Sequence, residues 1–115
     1  MSNETWGRER VIAHIGRLDE CGRKADRRRD SAREYILTVR FNEDGDAVQA
    51  LLSPSTDPML AECVDWQMRE FARPGDRPPQ RKTFRVHVPL SFSPIGGRAT
   101  PAPEQPFADE LTTRD

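Results

Sequence analysis

Tyr35-Ile36-Leu37-Thr38-Val39-Arg40-Phe41, then Asn42-Glu43-Asp44-Gly45-Asp46, then Ala47-Val48-Gln49-Ala50-Leu51-Leu52-Ser53: the reading of this stretch decides the fold. In its first part Tyr35, Leu37, Val39 and Phe41 alternate with Ile36, Thr38 and Arg40, the two-residue period of a half-buried strand. Asp44-Gly45 is the strongest hairpin signal in the chain, because a tight turn needs positive φ and glycine reaches it without steric cost. The return strand, Ala47 to Ser53, is expected to place Val48, Ala50 and Leu52 on one face. Strands joined by so short a turn pair antiparallel.

Upstream, Val11, Ile15 and Leu18 recur at helical spacing and Cys21 or Gly22 continues the stripe, with charged residues on the other faces. The pattern predicts one amphipathic helix from about Trp6 to Arg29. Downstream, Ser53-Pro54-Ser55-Thr56 breaks the strand, Asp57 is a good N-cap and Pro58 suits the first helical position. Leu60, Cys63, Val64, Gln67 and Phe71 then follow at helical spacing, with Met68 beside them, predicting a second helix that ends near Ala72. A loop around Pro74-Gly75 and Pro78-Pro79 leads to a last alternating run. There Phe84, Val86, Val88, Leu90 and Phe92 face the core, and Arg85, His87, Pro89 and Ser91 face out. Pro89 has no N–H, so it belongs at a ladder gap or on an edge.

The predicted order is α-β-β-α-β, an α+β fold. A three-stranded antiparallel sheet with two helices packed on one face satisfies it without long crossings. The 115 residues suffice for one small domain, assigned to 1–93. Residues 94–115 carry four of the ten prolines and almost no periodicity, and read as a disordered Pro-rich tail. Hydrophobic residues make up 35% and charged residues 32%; 18 basic against 19 acidic side chains leave a net charge of −1. That balance argues against nucleic-acid or anionic-membrane binding driven by net charge. No apolar run approaches the roughly 20 residues of a membrane-spanning helix.

The order and spacing of several pieces resemble the TonB/TolA C-terminal domain superfamily, in particular the two-cysteine variant of bacterial gliding-motility and envelope proteins. The pieces are the helix bearing Cys21, Leu37-Thr38-Val39-Arg40-Phe41 with its Glu43-Asp44-Gly45 turn, and Val48. After these come Ser53-Pro54-Ser55-Thr56, Leu60-Ala61-Glu62-Cys63-Val64, Phe71 with Pro74 behind it, and Val88-Pro89-Leu90-Ser91-Phe92. Together they span about 80 residues, from Val11 to Phe92. The resemblance implies a non-catalytic domain that contacts other envelope proteins, with an incoming segment pairing to an exposed sheet edge. It departs from the family at Phe71-Ala72-Arg73-Pro74, where the usual aromatic-Pro pair is stretched, and it brings over no binding residue.

Cys21 and Cys63 each lie on the apolar stripe of a predicted helix, and helices packed on one sheet face bring the two within bonding reach. The resembled variant also pairs its cysteines. Two reduced thiols buried in the core are the alternative, and would suit a cytosolic protein.

His14 and His87 read as ordinary boundary or surface histidines, and Glu43, Asp44 and Asp46 as turn chemistry, so no metal site is expected. No GxSxG, Walker or GxGxxG pattern occurs, and neither a cofactor nor enzymatic activity is expected. The cluster Arg23-Lys24, Arg27-Arg28-Arg29 and Arg33 supports an alternative reading as a small nucleic-acid-binding protein, although Asp26 and Asp30 interrupt it.

The first reading is a protein-interaction domain whose partner, an extended segment of an envelope protein, adds as a strand beside Arg85, His87 and Ser91. No membrane insertion and no nucleic-acid partner go with it. Taken as it stands, the polar start Met1 to Arg10 reads as cytoplasmic; as a piece of an exported protein the chain would be periplasmic or in the cell envelope.

Overall fold

A computed structural model describes residues 1–25, 33–54, 57–70, 77–92 and 98–101. The elements are α1 (Asn3–Ala13), a 3₁₀ turn (Ile15–Leu18), α2 (Asp19–Ala25), β1 (Arg33–Phe41), β2 (Ala47–Ser53), α3 (Pro58–Arg69), β3 (Phe84–Phe92) and β4 (Ala99–Pro101). The fold is α+β, with an antiparallel sheet in the order β2-β1-β3-β4. α3 packs on β2, α1 on β3, and α2 lies against α3, so the helices share the face that buries Leu37, Val39, Val86 and Val88.

The hairpin forms as its sequence directs. Gly45 has φ +89°, its N–H donates to the Asn42 carbonyl (3.0 Å), and the Asn42 side chain accepts from the N–H groups of Asp44 and Asp46. A side chain at Gly45 would also collide with Trp6, 2.7 Å from an added Cβ. Asp57 caps α3 by accepting from the N–H groups of Met59 and Leu60. Leu60, Val64 and Met68 form the buried stripe of that helix.

Three expectations are corrected. The predicted helix from Trp6 to Arg29 is two helices joined by a 3₁₀ turn. It starts earlier, at Asn3, where Ser2 accepts from the Thr5 N–H. It breaks at His14, whose Nδ1 lies 2.9 Å from the Arg10 carbonyl, just before Gly16, a poor helix former. The tighter turn keeps Val11, Ile15, Leu18 and Cys21 all buried.

Val48 faces solvent, not the core. The register passes from Arg40↔Gln49 to Phe41↔Ala47, so Val48 is the extra residue of a β-bulge. Ala47 takes the inward position, and Ala50 and Leu52 stay buried as expected.

The sheet has four strands where three were expected. β4 pairs Ala99, Thr100 and Pro101 with Phe92, Ser91 and Leu90, inside the segment assigned to the tail. Ala99 is buried and its N–H donates to Asp19 Oδ1 (2.8 Å), so residues 99–101 of that segment join the sheet. The rest of the assigned tail, 94–97 and 102–115, lies outside the described residues, as does Phe71. Truncation after Ser93 should therefore lower the melting temperature by several degrees relative to truncation after Pro101. It deletes one buried strand pairing and a charge-assisted hydrogen bond worth about 1–3 kcal/mol. Equal melting temperatures for the two truncations would show that β4 contributes nothing.

Candidate functional site

A sheet with a bare face and an unpaired edge exposes backbone donors and acceptors, so the question is which edge is open. Three observations fix the phase of the ladder. An antiparallel strand turns its N–H and C=O groups toward a given neighbour only at alternate residues. Pro89, opposite Ile36, and Pro101, opposite Leu90, can sit in their ladders without loss only where their nitrogens face away from the partner. Ala50 N–H, which points away from β1 in the same phase, donates to Asp65 Oδ1 on α3 (2.7 Å).

On the β2 side α3 packs against the strand, and Asp65 accepts from the outward amide of Ala50. On the other side β4 covers only Leu90 to Phe92. Between Phe84 and Pro89 no strand pairs with the outer edge of β3 among the described residues. The alternation puts the N–H groups of Arg85 and His87 on that edge, and neither has a partner among the described residues. Six residues is about one ordinary strand length.

The outer sheet face adjoins this edge. Arg85 and His87 are exposed there, and Ser91 is half-buried with its Oγ 3.5 Å from Thr100 Oγ1. His87 Nδ1 lies 2.9 Å from Thr38 Oγ1 on β1, a contact that ties the imidazole to the neighbouring strand. Arg85 stands directly opposite Arg40, whose guanidinium donates to Gln49 Oε1. Like charges facing each other across strands repel. The one acidic residue on this face among those described, Glu34, is opposite Ser91 at the far end of the pairing. Ile36 (42% exposed) and Leu51 (51%) add apolar surface. The arrangement can bind an extended peptide through its backbone, with a basic rim beside it.

Cys21 and Cys63 form a disulfide, with S–S 2.07 Å and Cα–Cα 5.7 Å, joining α2 to α3. Arg85, His87 and Ser91 lie together on β3 as expected, Ser91 in the part that β4 covers. Of the basic cluster only the Arg23 side chain lies among the described residues. Arg23 is paired to Glu20, three residues before it on α2, and Arg27 to Arg29 lie outside them. In the hairpin turn, Asp44 takes Arg77 (3.5 Å) and Arg81 (3.4 Å), and no group of metal-ligating side chains occurs among the described residues. None of the described helices is long and apolar enough to cross a membrane.

Sequence reading missed Asp65 and Asp19, the two carboxylates that cap outward strand amides. It also missed Asn3, buried in α1, whose side chain exchanges two hydrogen bonds with the Gln80 backbone. No local pattern marks these residues; only Ser2, as a potential N-cap, signalled the earlier helix start. Searches against protein families, curated proteins and solved structures return no match.

Proposed function

We propose that this chain is a non-enzymatic protein-interaction domain of the TonB C-terminal type, which binds an extended segment of a partner by strand addition. The observation that carries the reading is the Phe84 to Pro89 edge of β3, which pairs with no strand among the described residues, while on the opposite side of the sheet α3 packs against β2 and Asp65 takes the outward Ala50 amide. Main-chain hydrogen bonds would supply affinity, and side chains at alternate positions specificity. The order of helix, hairpin, helix and strand, together with the Cys21–Cys63 link, supports the resemblance to the two-cysteine variant. The disulfide fits an oxidising compartment such as the periplasm, and an envelope protein is the partner this reading calls for.

Peptides selected from a random extended-peptide library against the full chain test the reading. Bound peptides should slow amide exchange at Arg85 and His87. His87→Pro removes one outward N–H, as Pro89 already does, without touching the β1 ladder. It should weaken binding at least tenfold while leaving the melting temperature within a few degrees. Protection centred elsewhere, for example on exposed Met59 and Trp66 of α3, would overturn strand addition.

A further inference from the structure

The two registers of β1 arrange the outer face of the sheet in rungs. Gln49, Arg40 and Arg85 form one rung, and Leu51, Thr38 and His87 the next. The first rung sets two arginines opposite each other. The phase fixed by Pro89 makes them a non-hydrogen-bonded pair, the closer kind, with Cα atoms about 4.5 Å apart. Arg40 donates to the neutral Gln49, and neither arginine has a carboxylate partner among the described residues. The rung therefore carries uncompensated positive charge at the edge of β3, where Arg85 is exposed.

We propose that the partner of this edge is an acidic extended peptide, with carboxylates at two alternate positions opposite Arg85 and His87 and an apolar residue between them. The inference rests on the strand-addition reading above and names the chemistry of its partner. Residues opposite Arg85 and His87 on an added strand are two apart, so both side chains stand on the outer face. A carboxylate opposite Arg85 forms the favourable cross-strand pair and offsets the repulsion between Arg85 and Arg40. At His87 the Thr38 contact engages Nδ1, so Nε2 meets the second carboxylate. The residue between the two falls opposite Val86 and faces the helix layer. There Val86 and Val88 are buried and α1 packs on β3, so an apolar side chain extends the core without burying an unsatisfied polar group. The alternation reads the same whether the strand enters parallel or antiparallel.

The same charges disfavour a second copy at this edge. Antiparallel self-pairing about Val86 would set Arg85 and His87 of one copy against His87 and Arg85 of the other, with an Arg40 behind each Arg85. Shifting the centre to His87 spends an outward position on Pro89, which has no N–H to donate, and centring on Arg85 sets two guanidinium groups face to face. A basic rim is thus both a guard against edge-to-edge association and a filter for acidic strands.

The oxidised full chain, titrated with the peptide Thr-Val-Glu-Val-Glu-Val-Thr and with counterparts carrying Gln or Lys in place of Glu, tests this. In about 0.1 M salt the Glu peptide should bind at least about tenfold tighter than the Lys peptide, with Gln between them, and should slow amide exchange at Arg85 and His87. The gap should narrow at about 1 M salt, where the screening length falls to about 3 Å. Arg85→Glu changes an exposed side chain, so it should keep the melting temperature within a few degrees while erasing the preference for Glu. Equal affinity for the three peptides, with the Arg85 and His87 amides protected, would remove the acidic requirement and leave strand addition standing. A Glu preference unchanged in Arg85→Glu would overturn the inference, as would His87 protection in the free chain that grows with concentration, which would make the occupant a second copy. Protection centred on other amides, or no binding by any of the three, would overturn the strand-addition reading as well.

Discussion

Reduction of the Cys21–Cys63 bond should lower the melting temperature by roughly 10–25 °C. The bond closes a loop across a sequence separation of 42. For such a ring the chain-entropy treatment gives about 4 kcal/mol, and native disulfides typically contribute about 2–4 kcal/mol. In a domain of this size each kcal/mol moves the melting temperature by about 4–8 °C. The bond's position adds to its weight. α2 has only seven residues, too few to persist alone, and the bond ties it covalently to α3, against which it packs. Total stability for such a domain is about 5–15 kcal/mol, so the reduced protein keeps its sheet but with a much smaller margin. Cys21→Ala/Cys63→Ala should behave like the reduced chain, since Cys21 is buried and small. Urea unfolding with and without reductant, with alkylation counted by mass, measures the effect. A midpoint indifferent to reductant in a chain that alkylates only after reduction would refute a stabilising role.

Elements governed by local chemistry were legible in the sequence. β3 spans Phe84–Phe92 as its alternation indicated, the hairpin turns at Gly45, and Asp57 and Pro58 start α3. Each is set by residues within a few positions of one another. The errors occurred where a distant contact decided. Val48 alternates correctly with Ala50 and Leu52, and only the pairing of Phe41 with Ala47 across the hairpin turns it outward. β4 is three residues long, too short for any period, and exists because β3 offers an edge and Asp19 a carboxylate. The predicted long helix carried a continuous stripe over Val11, Ile15, Leu18 and Cys21. A 3₁₀ turn preserves that stripe, so periodicity alone cannot detect the break.

The candidate site shows the same division. Arg85, His87 and Ser91 were legible as outward-facing residues of one strand. What makes them a candidate site is that α3 packs on the β2 side, with Asp65, fifteen residues from Ala50, on its outward amide, while among the described residues nothing pairs with the outer edge of β3 before Leu90. The two prolines, by contrast, encode the ladder phase in the sequence itself. Once the strands are paired, Pro89 and Pro101 specify which amides face outward.

Phe41→Ala should cost about 3–5 kcal/mol, the usual range for deleting a buried ring. Phe41 is 1% exposed, stacked on Phe84 with centroids 4.9 Å apart and 14° between planes, and meets Trp6 edge-on at 5.9 Å. Such ring pairs contribute about 0.5–1.5 kcal/mol each beyond their area. The surroundings cannot collapse to fill the void. Gly7 brings the α1 backbone close against this cluster, with an added Cβ only 3.1 Å from the Phe41 ring, and has no side chain to swing inward. Trp6 is wedged against Gly45 near Pro78 and lies under the Arg10 guanidinium, 4.8 Å from its ring. Phe84 is fixed by its pairing with residue 41 on β1. The cavity term therefore stays, and the cost belongs in the upper half of the range. Phe41→Leu, which keeps most of the volume, should cost about 1–2 kcal/mol. Urea unfolding of the oxidised chain measures both, with the slope unchanged if only the native core is affected. Because Phe84 opens the unpaired edge, the same variant should raise amide exchange at Arg85 before His87 responds. A loss below about 1.5 kcal/mol for Phe41→Ala would mean that the aromatic cluster repacks, and the Phe84 end of the edge would then have no rigid support.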